Sequence, residues 1–578
     1  MGTRTLARLS LASVLVGLAL AAAVPSVAAS TGPMTITTST TLTEDQTGPI
    51  TIGADGVTLD CAGHHVTGPG WIGIYLPGRT RVVVRNCLVS GFVRGLFLEG
   101  GTGNALTGNQ SSNNDEDIRL EGSTGNRITG NTVASSHCHG LAIYAGSTAN
   151  TIARNTATGS VCYGFVAVDS AGNTFTGNVA DGNQEGLVGV NSSNVYLNNT
   201  ARNSTFNGFH LYGGSASNTL IGNLSEANLN GFRLDSSDNN TLKDNVASSG
   251  TGGHGIWLAG GSTGNMVRHN TAVGYVIGIV AQDSSGNTFT QNTATSNFEG
   301  IGGGSGSNLY TDNTATRNRN NGFHFGGSGD TISDNLSELN FNGFWFDSVT
   351  NETVDGNTGR ANVEHGFGLA TGSSANLISH NTARDNGGIG FVSLNSDGNV
   401  FVGNRAQSNV AGFAGIASSS NRYSANVANQ SRFDGFGLSA GAANNTLDGN
   451  TATNNGAQGF ALYSAGSGNV LADNKATGNV GHGFLISQAS MNTFAGNLAQ
   501  ENGQDGFILQ ASGNNKLEQN KARSNTGVGF HALPGSISNL FDANVGRENG
   551  LDAQDDNPAG SNLWTNNRFD RCAVLPGC

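Results

Sequence analysis

The stretch Asn199-Thr200-Ala201-Arg202-Asn203-Ser204-Thr205-Phe206-Asn207-Gly208-Phe209-His210-Leu211-Tyr212 decides the fold, because it returns. Asn313-Thr314-Ala315 followed by Asn321-Gly322-Phe323-His324 repeats it, Leu224-Ser225-Glu226 matches Leu336-Ser337-Glu338, and looser versions fill the interval. From Gly73 to Gly550 a glycine followed by an apolar residue recurs at a mean spacing of about 23 residues, with Asp117-Ile118 filling one vacant place. A second column is asparagine, running from Asn86, Asn109 and Asn131 to Asn567, and an apolar or aromatic residue such as Ile152, Phe175 or Tyr196 stands three before it.

A unit this short cannot bury its own hydrophobic face and must stack on its neighbours. Glycine-apolar-x-apolar reads as a short strand whose first and third side chains point inward. An asparagine at each turn can both donate to and accept from the one above, forming a ladder. There is no helical period. The reading is all-β: a single-stranded parallel β-helix of about 22 coils, about 23 residues per coil, which at ~4.8 Å per coil is a rod on the order of 105 Å long. A leucine-rich repeat would need a leucine-dominated core, which this chain lacks. Residues 172–285 align with 286–397 at an offset of five coils, so the rod is built from duplicated blocks.

Composition agrees with this. The 578 residues include 88 glycines and 8 prolines, and only 12% are charged. That excludes collagen and coiled coils, while 36% hydrophobic residues exclude a disordered chain. A net charge of −13 with no basic patch argues against nucleic acid as a partner. Arg4 and Arg8, the apolar run Leu9 to Val24 and Val27-Ala28-Ala29 make residues 1–29 a removable signal peptide. No later stretch is apolar enough to span a membrane. The expected organisation is a signal peptide over 1–29, an N-terminal cap and first coil over 30–72, repeats over 73–567, and a C-terminal cap over 568–578. The chain is expected to be secreted, extracellular or periplasmic, and monomeric.

The cysteines test the register. Cys138 and Cys162 each lie two residues before a column glycine, and Cys61 and Cys87 occupy equivalent places one coil apart. Adjacent coils bring Cα atoms within disulfide range. The expected bridges are Cys61–Cys87, Cys138–Cys162 and a terminal Cys572–Cys578 loop.

The opening Asp55-Gly56-Val57-Thr58-Leu59-Asp60-Cys61-Ala62-Gly63-His64, followed by Asn-Thr-x-x-x-Asn and Gly-apolar repeats, resembles the secreted right-handed parallel β-helix proteins. It is most similar to the NosD-like branch of the pectin-lyase-like superfamily, over roughly residues 50–567. The resemblance implies a right-handed helix. It implies no single activity, since that superfamily holds polysaccharide lyases, hydrolases and epimerases beside adhesins and accessory proteins of copper-enzyme maturation. The Asp-Pro-His-Asp motif of the mannuronan epimerases is missing, lysines are only Lys243, Lys475, Lys516 and Lys521, and no histidine- or methionine-rich stretch suits a copper carrier. Gly326-Gly327-Ser328-Gly329-Asp330 approximates a calcium-binding nonapeptide, but its aspartate comes one position early and it occurs once.

In the glycine-led strand, offsets two and four from the glycine point outward. Most hold small or aliphatic residues, but three successive coils present His210 and Tyr212, Arg233 and Asp235, and Trp257, with Asn207, Asn230 and His254 just before each glycine. Such a set suits a sugar: aromatic faces cover pyranose C–H surfaces while planar polar groups bond hydroxyls or carboxylates. His324, Trp345 and Asp347 continue it five coils later. His139, His254, His365 and His482 recur before the glycine at every fifth coil, and repeated imperfect copies suit multivalent binding better than one catalytic centre. Glu99, Asp115, Glu116, Asp117 and Glu121 concentrate acid near Arg119; they are the candidate calcium ligands, with a solvated acidic corner as the simpler reading. His137 and His139 flank Cys138 with the density of a metal site, but the expected disulfide removes the thiolate.

The sequence therefore points to recognition of extracellular or cell-wall polysaccharide, or another cell-surface glycan, by an exposed sheet face. Tyr212, His254, Trp257, His324, Trp345 and Asp347 are the expected binding residues. The alternative is a polysaccharide-active enzyme, a lyase or C5-epimerase acting through His210, Arg233 and Asp235 with or without Ca²⁺. A copper-enzyme accessory role is third. No other cofactor is expected.

Overall fold

The computed structural model describes residues 26–27, 31–304 and 306–573. These residues form strands and turns throughout, winding into a parallel β-solenoid of about 23 turns. The signal-peptide reading and Cys578 fall outside the described residues, apart from the short strand Ser26–Val27.

Each coil contributes three short strands to three faces. In one coil these are Ala171–Thr176, Val179–Asp181 and Glu185–Val190. Each pairs in parallel with its counterpart in the next coil, so that Phe175 meets Tyr196, Ala180 meets Ala201 and Leu187 meets Phe209. The inward side chains fill the lumen: aliphatic or aromatic on the first face, mostly alanine on the second, and phenylalanine, leucine or isoleucine on the third. From Phe323 to Phe530 ten phenylalanines of the third face stack one per coil, with neighbouring centroids 4.6–4.9 Å apart. Backbone pairing sets that spacing, and it matches the separation aromatic pairs prefer.

The column glycines are a steric requirement. A Cβ on Gly412 would come within 2.4 Å of the Gly435 carbonyl oxygen and 2.6 Å of the Ala428 Cβ. The second strand turns into the third at this corner and leaves no room. At the vacant place, Asp117 turns its side chain into a buried polar pocket, where it accepts hydrogen bonds from Ser111, Asn114 and Ser136. Burial outweighs those bonds and pushes its carboxyl up to about 6.

The predicted asparagine column is a ladder from Asn109 to Asn567. Asn335 is typical: its backbone N–H and Nδ2 both donate to Asn357 Oδ1, at 2.9 Å each, and Nδ2 also donates to the Tyr310 carbonyl at 2.9 Å. Asn86 is a correction. It is exposed with φ 56°, in the turn position before the ladder, and Cys87 fills the ladder slot, donating its N–H to Asn109 Oδ1. Two further ladders went unread in the sequence. One runs from Asn104 to Asn562 before the first strand, and a discontinuous one, including Asn297, Asn318 and Asn340, lies before the third. Two corners of nearly every coil, and the third in many, thus carry buried amides, which satisfy backbone groups that leave the strand ladders at the turns.

Two disulfides are as predicted: Cys61–Cys87 with Cα atoms 4.7 Å apart and Cys138–Cys162 at 4.6 Å. At the far end Trp564 stacks on Phe541 at 3.7 Å and Phe569 closes over Phe530 at 5.7 Å, covering the lumen with aromatic surface.

Candidate functional site

The third face positions the outward residues. In-register pairing sets His210 beside Arg233 and Arg233 beside Trp257 on three successive coils. The Arg233 guanidinium lies 4.3 Å over the Trp257 ring and pairs with Asp235, while His254 meets Trp257 edge-on at 4.8 Å. Phe206 and Leu229 wall this cleft, whose volume is about 440 Å³. A second cleft of about 380 Å³ continues from His254 to Glu299 and His324 over a floor of Gly302, Gly303 and Gly304. The two make one groove along the rod axis, joined at His254.

A row of side chains immediately before the column glycines organises the groove. Glu185 accepts from Asn207 Nδ2 at 2.7 Å, Asn207 Oδ1 accepts from Asn230 Nδ2 at 2.9 Å, and Asn230 Oδ1 accepts from the His254 N–H at 2.9 Å. The same row recurs five coils on. Glu299 meets Asn321 Nδ2 at 3.4 Å, Asn321 Oδ1 accepts from Asn342 at 3.1 Å, and Asn342 Oδ1 accepts from the His365 N–H at 3.2 Å. Each carboxylate also holds the histidine at offset two of the next coil: Glu185 with His210 Nδ1 at 3.0 Å, Glu299 with His324 Nδ1 at 3.0 Å. A third pair, Asp505 with His531 Nδ1 at 3.1 Å, lies near the C-terminal end.

The Glu299 carboxylate raises His324, with Asp347 adding to it. Burial pushes Glu299 up, but His324 and the amides of Asn320 and Asn321 outweigh it and leave the carboxyl lowered. Burial lowers His254, with Arg233 adding to it, and burial lowers His365. Polar atoms also lack protein partners here: Arg233 Nε, His254 Nδ1 and Trp257 Nε1 belong to the lining of the first cleft, and His210 Nε2 lies beside it. Unpaired buried polar groups are rare in folded proteins.

The structure brings together His210, Arg233, Asp235, His254 and Trp257, as the sequence suggested. Tyr212, expected as a binding residue, packs on His210 at 4.6 Å and bonds Tyr163 through their hydroxyls at 3.2 Å, outside the lining of the two clefts. Trp345 stacks on His365 at 6.0 Å, and Asp347 stands 3.9 Å from His324 Nε2 while accepting from the Thr371 hydroxyl at 2.6 Å. The candidate calcium ligands do not converge. Asp117 faces inward, Glu116 and Glu121 both clasp Arg119, Asp115 faces His137, and Glu99 accepts from the Tyr75 hydroxyl. His139 lies beside Cys138, whose sulfur is bonded to Cys162. Glu185 and Glu299, which orient the histidines, were missed. Their signal was the position before the glycine, read in the sequence for histidine and asparagine only.

Two family models match the chain. The model described as the right handed beta helix region matches residues 50–206 and 392–545, together more than half of the chain. The periplasmic copper-binding protein (NosD) model matches residues 182–321 and 304–432, a span that contains the groove. No curated protein matches. Among solved structures, the catalytic domain of a GH87 alpha-1,3-glucanase in complex with tetrasaccharides is 12% identical with a TM-score of 0.34, covering 45% of this chain and 61% of its own. DFA-IIIase from Arthrobacter chlorophenolicus A6 without its lid is 16% identical with a TM-score of 0.30, covering 42% of this chain and 66% of its own. The Azotobacter vinelandii mannuronan C-5 epimerase AlgE6 A-module is 13% identical with a TM-score of 0.27, covering 78% of this chain and 91% of its own. The chain thus spans about three fifths of the first of these, and the likeness concerns fold alone. From its matched repeats and its parallel coils, the chain belongs to the right-handed β-helix repeat proteins of the NosD-like, pectin-lyase-like type.

Proposed function

We propose that this chain is an extracytoplasmic rod that binds a polysaccharide along its third face, without cleaving it. The observation that carries this reading is the first cleft. An aromatic ring, a guanidinium and an imidazole meet there with unpartnered polar atoms, in a groove that runs on past His254 into a second cleft. A pyranose presents C–H faces to Trp257 and hydroxyls to Arg233 and His254. The two disulfides and the periplasmic description of the matched NosD family support an extracytoplasmic setting.

Binding is favoured over catalysis by what the candidate catalytic groups already hold. Asp235 is paired with Arg233, His210 Nδ1 with Glu185, and His210 Nε2 is buried. None of the three candidates is left as a free base; the one unpartnered imidazole beside the guanidinium is His254, which a lyase or epimerase step would have to use in their place. Nor do the donors suit copper. Among the described residues the one group of three candidate ligands within reach of a single ion is Cys138, His139 and Cys162, and its two sulfurs are bonded to each other.

Titrating the protein with neutral and uronate-containing oligosaccharides by calorimetry tests the reading. Trp257→Ala and Arg233→Ala should each weaken binding roughly tenfold, about 1.4 kcal/mol, with unchanged circular dichroism. Appearance of unsaturated uronates in ultraviolet absorbance would replace binding by lyase action. Affinity that ignores both substitutions would move the site elsewhere.

A further inference from the structure

The ladder that starts at Asn104 is asparagine in every coil down to Asn562 except two, where Asp330 and Glu352 stand in consecutive slots. An asparagine in this ladder donates to the coil on either side, and a carboxylate can only accept. Asn308 still donates to Asp330 Oδ1 through its N–H at 2.7 Å and Nδ2 at 3.3 Å. Asp330 Oδ2 has no hydrogen-bond partner, and the Glu352 carboxyl has only the backbone N–H groups of Gly329 and Asp330 against it, at poor geometry, although the two residues are only 1% and 2% exposed. No ion pair involves either carboxyl among the described residues. The other titratable group against them is Tyr310, itself buried, whose hydroxyl lies 3.4 Å from the Gly302 carbonyl.

The neighbouring blocks show what this position ordinarily holds. Five coils earlier the same slots are Asn218 and Asn240, and five coils later Asn445 and Asn469. The lumen around them is otherwise alike: Tyr196, Tyr310 and Tyr423 each direct a hydroxyl at a glycine across the lumen, Gly189, Gly303 and Gly415. Behind Gly303, Asp330 Oδ2 joins that hydroxyl, and Gly303 is floor of the second cleft. We infer that Asp330 and Glu352 form an internal proton-binding pair beneath that cleft, which holds its floor closed while protonated and loosens it once both ionise.

With protons in place the two acids become donors and stand in for the missing amide hydrogens. When both are ionised, two like charges sit one coil apart with no cation beside them, held only by the Asn308 donors at Asp330 and the Gly329 and Asp330 N–H groups at Glu352, and burial outweighs these. Burial raises Asp330 to about 7, and burial together with Asp330 raises Glu352 to about 8. The sign follows from those directions. The folded state holds these protons more tightly than the unfolded chain, so the contribution is complete below the ordinary carboxyl range and is lost as pH rises toward 8.

Hydrogen exchange of the full chain from pH 5 to pH 9, corrected for the intrinsic rate, tests this. Amides of Thr331–Ser333, and of Gly302 and Gly303 in a Glu299→Gln background that removes the titrating Glu299–His324 pair, should open up to roughly tenfold more per pH unit for each proton released, while the corresponding strands Ala411–Ile416 and Thr446–Asp448 stay flat. The double variant Asp330→Asn, Glu352→Asn restores the residues used in the other blocks, so it folds, and it should abolish the difference. Equal response in both segments, or a response that survives the double variant, would overturn the inference. So would loosening by EDTA at constant pH, because a bound cation would then be doing the proton's part.

Discussion

Asn335 sets the residue-scale logic. It takes two hydrogen bonds from Asn313 and gives three to Asn357 and Tyr310, all inside the protein. Asn335→Ala strands donors on one coil and a carbonyl on another, and each unmet buried group costs about 1–3 kcal/mol. We expect a loss of roughly 3 kcal/mol in denaturant unfolding; a loss below ~1 kcal/mol would mean that water replaces the amide. The Glu299–His324 pair acts through charge instead. Glu299, lowered from 4.5, contributes above that value and fades as pH falls; His324, raised from 6.5, contributes fully below that value and fades as pH rises. Glu299→Gln should therefore destabilise most between those two values, by no more than about 1 kcal/mol because His324 is partly exposed, and least at pH well above them. Melting curves at acid and alkaline pH check the sign.

At the scale of the element, the corner glycine and the stacked phenylalanine are complementary. Gly412 carries no side chain because the next coil's backbone occupies the space, and Phe413 beside it stacks on Phe391 and Phe436 at 4.8 and 4.7 Å. Gly412→Ala pushes a methyl group against backbone, which cannot rotate away, so it should cost about 1–3 kcal/mol. Phe413→Ala removes a ring from mid-stack and should cost about 3–5 kcal/mol. Chemical denaturation of both variants tests the ordering. If the glycine change is neutral, the corner is looser than its geometry implies.

For the whole molecule, stability is close to a sum over coils and the interfaces between them, so unfolding begins where a coil lacks one neighbour. The ends carry the compensation: Cys61–Cys87 near the start, and Trp564 with Phe569 over the lumen at the finish. A rod of this kind presents one groove with repeated chemistry, Glu185 to His254 and again Glu299 to His365. A ligand long enough to occupy both gains from effective concentration. Affinity should therefore rise with oligosaccharide length until both rows are covered.

The amino-acid sequence by itself determined the repeat, the inward and outward faces of the glycine-led strand, the main asparagine ladder and two disulfides. These follow from alternation along a strand and from coil length, both of which are local. Asn86 shows the limit of that reading: one residue of slippage put a turn residue in a ladder slot. Only the tertiary structure decided which carboxylates meet the outward histidines, because Glu185 and His210 belong to different coils and different offsets and touch through the stagger at the corner. It also separated the acidic cluster, sending Asp117 inward and Glu116 onto Arg119. Whether a carboxylate is a ligand, a counter-ion or a buried acid is set by the coil above and below it, and single-chain spacing carries no record of those neighbours.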